Sequence, residues 1–157
     1  LNSWLEELLS VYPFPPHIAL DKQLDPANPP VDIDTTEMQQ ALRNLMNNGI
    51  EVMPQKGTLS LHTRMSAEGR SVTIIVGDAG PGIPSDVVDK IFAPFFTTKA
   101  RGTGLGLAVV RKVMDRHSGM VDVESEVGRG TVFKLTLPVA QPGAPLPGAA
   151  QPQGNQP

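Results

Sequence analysis

Apolar residues Leu1, Trp4, Leu5, Leu8 and Leu9 recur at the spacing of one helix face, until PFPP at residues 13–16 breaks the run. HIALDKQL, residues 17–24, instead alternates Ile18, Leu20 and Leu24 with polar side chains, as a half-buried strand does. The turn cluster DPANPP leads to a short edge strand, VDI, at 31–33. A helical period then returns, and Met38, Ala41, Leu42, Leu45, Met46 and Met53 form the buried stripe of a helix over 35–53. TLSLHTRM (58–65) and SVTIIVGD (71–78) both alternate and predict a hairpin closed by SAEGR. SDVVDKIF, 85–92, reads as one or two helical turns with Ser85 as N-cap. LAVVRKVMDRHS, 107–118, reads as a further amphipathic helix, and MVDVESEV, GRG and TVFKLTL (120–137) as a second hairpin.

Two antiparallel hairpins, one or two edge strands and helices with single apolar stripes define an α+β domain. It is expected to have one mixed, mostly antiparallel sheet with helices on one face. The domain spans 13–138, and residues 1–12 read as the end of a preceding helix. Residues 139–157 carry no charge and are dominated by Pro, Gly, Ala and Gln, the composition of a disordered tail.

Composition narrows the function classes. A net charge of −3 and an aromatic share of 4% leave neither a basic footprint nor a stacking platform for nucleic acid. With no cysteine there is no disulfide, thiolate zinc site or thiol nucleophile. No apolar run reaches the length of a membrane span. Opening on Leu1 with no signal-peptide pattern, the chain is expected to be a piece of something longer.

The candidate chemistry lies in four stretches. RGTGLGLAVVRKV, 101–113, sets Gly102, Gly104 and Gly106 on alternate positions before a helix. A glycine loop feeding a helix start offers unpaired N–H groups and a favourable dipole to an anion. The spacing matches neither the P-loop nor the dinucleotide fingerprint. In NLMNNGIEVM, 44–53, Asn44 and Asn48 stack one helical turn apart. Glu37, Gln40 and Glu51 fall within about 40° of them at roughly 100° per residue. That stripe is either a solvated face or a set of oxygen ligands for hydrated Mg²⁺. DAGPGIP, 78–84, puts Asp78 at a strand end beside Gly80 and Gly82. It is either a plain turn or a loop against which a flat ligand lies, its exocyclic amine donating to the carboxylate. IFAPFFTTK, 91–99, places Phe92, Phe95 and Phe96 in a loop, as a hinge, a docking patch or covered core. Lys99 and Arg101 follow, beside the glycine loop, where cations would meet phosphate.

In this order the stretches resemble the ATP-binding domain of sensor histidine kinases. NLMNNGIEVM resembles the N box, DAGPGIP the G1 box, IFAPFF the F box, GTGLGLAVV the G2 box and GRGTVFKLTLP the closing G3 hairpin. IFAPFFTTK followed almost at once by GTGLGL is similar to the nitrogen-regulation (NtrB-type) branch, which has a short ATP lid. The resemblance covers about residues 1–138. It implies a two-layer α/β sandwich of the Bergerat type, with ATP and Mg²⁺ as cofactors and a mobile lid. It further implies that Asp78 takes the adenine amino group, helped by Thr131 through a water. Gly80, Gly82, Ile83 and Phe92 then shape the adenine pocket, and Asn48 ligates Mg²⁺ with support from Asn44 and Glu51. Lys99 and Arg101 meet phosphate, and the segment Gly102, Thr103, Gly104, Leu105, Gly106 and Leu107 cradles it.

The resemblance also implies that no catalytic nucleophile lies in this stretch. His17, His62 and His117 all lack the helical context of a phospho-acceptor. The acceptor belongs to a dimerisation and histidine-phosphotransfer domain of the same protein, with a response-regulator receiver domain downstream. The domain alone is expected to be monomeric and cytoplasmic. Two departures from the family's pattern sit in the N box: Gly49 follows Asn48 where Ala is usual, costing roughly 1 kcal/mol in mid-helix, and Val52 replaces a small residue. Gyrase, MutL-type and heat-shock ATPases share the boxes but carry a glutamate one turn before the metal-binding Asn. Asn44 stands there, and an amide cannot take a proton from water. An anti-sigma-factor serine kinase and a nucleotide-sensing module without transfer activity are the remaining alternatives.

Overall fold

The computed structural model describes residues 1–98 and 102–140. Along the chain run α1 (Asn2–Val11), β1 (Ile18–Gln23), α2 (Thr35–Glu51), β2 (Gly57–Met65), β3 (Ser71–Asp78), α3 (Ser85–Val88), α4 (Gly106–Arg116), β4 (Met120–Glu126) and β5 (Gly130–Pro138). The strands form one sheet in the order β1-β2-β3-β5-β4. The two hairpins expected from alternation are β2–β3 and β4–β5, joined by antiparallel pairing of β3 with β5. β1 runs parallel to β2, with Ile18 opposite Gly57 and Gln23 opposite His62. Parallel neighbours need a crossover connection, and α2 supplies it.

Strand alternation gathers Leu59, Leu61, Val72, Ile74, Val76, Phe133, Leu135 and Leu137 on one sheet face, all buried. Met38, Leu42, Leu45 and Met46 of α2 and Val110, Val113 and Met114 of α4 cover that face. Each such side chain contributes about 1.5–3 kcal/mol by leaving water. Asp34 starts α2, its Oδ1 accepting the N–H groups of Thr36 and Glu37 at 2.8 and 3.0 Å. The same residue's backbone N–H donates to His117 Nε2 at 2.8 Å, while His117 Nδ1 donates to the Val113 carbonyl at 2.7 Å. With both ring nitrogens used, His117 ties the start of α2 to the end of α4, and an Arg116–Glu37 ion pair lies alongside.

Leu5, Leu8 and Leu9 of α1 are buried in the same core as the sheet and α2. An apolar stripe announces that a helix has a partner, not which one, and here the partner is this domain. VDI does not form a strand; Val31 makes an isolated bridge to Val139. With the Ala140 N–H donating to the Pro30 carbonyl at 2.9 Å, that bridge carries the folded chain past Pro138. The rest of the expected tail lies outside the described residues. Pro84, not Ser85, occupies the N-cap of α3, and no side chain caps it. Among the described residues, no helix is long and apolar enough to cross a membrane.

Asp25, just beyond β1, holds the edge of the sheet together. Its Oδ2 accepts the Met65 N–H and its Oδ1 the Ala27 N–H, both at 2.9 Å, and its own N–H donates to Thr63 Oγ1. The Met65 and Ala27 amides hold its carboxyl below the usual carboxylate range. A carboxylate with a depressed folded-state pKa adds stability above the unfolded value, lost as pH falls through the folded one. Denaturant unfolding between pH 6 and about 2 should therefore show a steeper acid loss in the wild type than in Asp25→Ala. Parallel curves would remove Asp25 from the acid response.

Candidate functional site

β3 ends on Asp78, which pairs with Leu59 of β2 on one side and Thr131 of β5 on the other. The carboxylate is fixed at once by a turn, Oδ1 accepting the Gly80 N–H at 2.9 Å. Space around it depends on missing side chains. A Cβ at Gly80 would sit 2.7 Å from Asp78 Oδ1 and 2.7 Å from Val52 Cγ2; one at Gly49 would sit 2.9 Å from Leu59 Cδ1 and 3.1 Å from Asp78 Cβ. Gly49 therefore does more than weaken α2: it lets the helix lie close against Leu59 and Asp78. Val52, the other departure in the N box, packs on Gly80. Further along the loop, Gly82 takes φ +74° and passes the hairpin turn so closely that a Cβ would meet the Glu126 carbonyl oxygen at 2.2 Å.

α2 faces this loop with Asn44, Asn47, Asn48 and Glu51. Its polar stripe is divided by use. Glu37 pairs with Arg116 and Gln40 is exposed, while the later turns line a cavity. Asn44 Nδ2 donates to the Gly106 carbonyl at 3.1 Å, so one amide clasps the glycine loop across 62 residues of chain. At the edge of this stripe Asn47 accepts from the Tyr12 hydroxyl. Burial pushes the Tyr12 phenol up, against the lowering influence of Arg43.

The glycine loop closes the third side. Gly104, at φ +67°, is packed on Phe95, whose N–H donates to the Gly104 carbonyl at 2.9 Å. A Cβ at Gly104 would lie 2.4 Å from Phe95 backbone carbon. α4 begins at Gly106 with no side chain capping its first turn. Its leading N–H groups therefore have no side-chain cap among the described residues.

Together these elements enclose a cavity of about 630 Å³, within the range of small-molecule sites. The structure brings Asn44, Asn48, Glu51, Asp78, Gly82 and Ile83 to its wall, with Gly102, Thr103, Gly104, Gly106, Leu107 and Thr131. Gly80 stands behind Asp78, and Leu105 is exposed and off the wall. Phe92 does not line the cavity: it is buried, edge-on to Phe133 at 6.2 Å and under the Arg111 guanidinium at 4.6 Å. Ile91 and Phe96 take the wall positions instead. Lys99 and Arg101 lie outside the described residues. Sequence reasoning missed Asn47, Val52 and Thr97, all on the wall. Asn47 was within reach of the helical period, being three residues from Asn44. No histidine lines the cavity among the described residues.

Residues 33–141 match the family described as histidine kinase-, DNA gyrase B-, and HSP90-like ATPase, and the chain belongs to it. Within that family it is an ATP-binding catalytic domain of the sensor histidine kinase type. The chain is 45% identical over 111 residues to the sensor histidine kinase ZraS of Escherichia coli (strain K12), covering 71% of this chain and 23% of that protein. It is 38% identical over 138 residues to the sensory histidine kinase/phosphatase NtrB of Rhodobacter capsulatus, covering 81% of this chain and 39% of that one. The chain therefore spans well under half the length of these curated relatives. The catalytic domain of histidine kinase ThkA superposes with a TM-score of 0.75 at 31% identity, covering 88% of this chain and 93% of that one.

Proposed function

We propose that this domain binds Mg²⁺·ATP and presents its γ-phosphoryl group to a histidine on a separate dimerisation domain of the same protein. The observation that carries this reading is the convergence on one cavity of Asp78, the stacked amides of α2 and an uncapped helix start behind a glycine loop. The donor set fits the groups it would hold. Asp78, pinned by the Gly80 N–H, offers a carboxylate oxygen to an exocyclic amine. Thr131, its partner in the β3–β5 register, assists through a water. Backbone N–H groups from Gly102 to Leu107 suit phosphate, joined by Lys99 and Arg101. Asn48 brings an amide oxygen, a hard ligand suited to Mg²⁺.

Bound there, Mg²⁺ would neutralise charge developing on the β- and γ-phosphates. The chain's own part is alignment: it fixes the base at one end and the phosphates at the other, and keeps them in line for an incoming nucleophile. The nucleophile comes from elsewhere. His117 has both ring nitrogens committed, and His62 pairs with Asp21 where β1 and β2 face away from the helices. A response-regulator receiver domain is the expected onward partner, and ThkA, a structural relative, has been crystallised with the response regulator TrrA. We place the domain in the cytoplasm and expect it to be monomeric alone. Calorimetric titration with ATP and GTP, with and without Mg²⁺, tests the binding half. One-site binding of ATP in preference to GTP is expected, and equal affinity for the two purines would defeat it.

A further inference from the structure

We propose that Ser125 is the positioning residue of the adenine end of this site, a role that rests on the nucleotide reading above. β4 points Val121, Val123 and Ser125 in turn toward the helix-covered side. Ser125 thus interrupts an apolar series with a hydroxyl. That hydroxyl is a junction. Ser125 Oγ accepts the Ile83 N–H at 2.7 Å, donates to the Gly130 carbonyl at 3.0 Å, and lies 3.0 Å from Thr131 Oγ1.

A serine hydroxyl has one hydrogen and two lone pairs. With the hydrogen on the Gly130 carbonyl, the lone pairs take the Ile83 N–H and the Thr131 hydroxyl hydrogen. All three positions are then filled. Thr131, 4% exposed, is left with its own oxygen lone pairs turned to other partners, beside its register partner Asp78. Ile83 and Thr131 both line the cavity, and they come from the loop after β3 and from β5. One side chain outside the wall therefore sets the amide that fixes the loop and the hydroxyl that flanks the carboxylate. Its neighbours reinforce the link, because the Gly128 N–H donates to the Pro81 carbonyl at 2.8 Å.

Ser125 acts through these groups, so its loss should be felt where the base is read. The test is calorimetry on the chain as it stands, with ATP and with purine riboside triphosphate, which lacks the 6-amino group. Ser125→Ala should weaken ATP about tenfold, since a buried polar group loses its partner. It should weaken purine riboside triphosphate by less than about threefold, so that preference for the amine collapses. Ser125→Thr, which keeps the hydroxyl, should restore the preference. Equal losses for both nucleotides, or no loss, in a folded Ser125→Ala protein would overturn the proposal. If that variant does not fold, Ser125→Cys, similar in size with a far weaker hydrogen-bonding group, carries the same expectations. A wild type that binds neither triphosphate would instead overturn the nucleotide reading itself.

Discussion

Asp78→Asn is expected to weaken ATP binding at least tenfold while leaving the fold intact. The carboxylate stands at the end of β3, one oxygen held by the Gly80 N–H, with Gly49 and Gly80 leaving room around it. The variant keeps size and backbone but exchanges one acceptor oxygen for an N–H₂ group. The exocyclic amine loses its acceptor and meets a second donor, at a cost of ~1–3 kcal/mol, tenfold or more in affinity. The melting temperature should move little, because no buried apolar contact is lost. Titration of ATP and GTP into both proteins decides it: unchanged ATP affinity in the variant, with folding confirmed by circular dichroism, would remove Asp78 from adenine recognition.

Asn48→Ala should abolish the gain in ATP affinity that Mg²⁺ confers, and with it phosphoryl transfer in the full-length protein. Asn48 lies on the cavity wall, one turn along α2 from Asn44. The two amides have different duties. Asn44 Nδ2 is committed to the Gly106 carbonyl and holds the glycine loop, whereas Asn48 is the proposed Mg²⁺ ligand. The variant replaces a hard oxygen with a methyl group and raises helix propensity, so folding should survive. Titrations with and without Mg²⁺ separate the effects. ATP affinity without metal should stay within about twofold of wild type, and the Mg²⁺-dependent increment should vanish. A variant that keeps the increment would place the metal elsewhere.

The hairpins were legible in the sequence because alternation is a local signal, and Leu59, Leu61, Val72, Ile74, Val76, Phe133, Leu135 and Leu137 fell on the covered face, with Ile75 and Val132 on the other. Long-range pairings were not. Nothing local pairs Val31 with Val139, or tells that α1 belongs to this core rather than to a neighbouring domain. The element ends that carry candidate site residues were legible: β3 ends on Asp78, and α4 starts at Gly106 just after Gly104. The phenylalanine loop read poorly. Composition cannot say which of three neighbouring rings turns inward, and the structure buries Phe92, puts Phe96 on the wall and exposes Phe95. Propensity gives Gly49 only a cost in mid-helix, since it counts the helix alone, while the structure shows its close packing on Leu59 and Asp78. Asn44's tie to Gly106 and Ser125's junction join parts of the chain that no motif spacing connects.

On the reading proposed above, this domain holds ATP for a histidine on another domain. Incubation with γ-phosphate-labelled ATP and Mg²⁺ tests it most directly, once with the chain alone and once with the dimerisation domain of the same protein added. The chain alone should take up no label, and the added domain should take up acid-labile, base-stable label on a histidine. Acid-labile label on His17, His62 or His117 of this chain would contradict the two-domain scheme, and acid-stable label on a serine of either partner would contradict the histidine kinase reading.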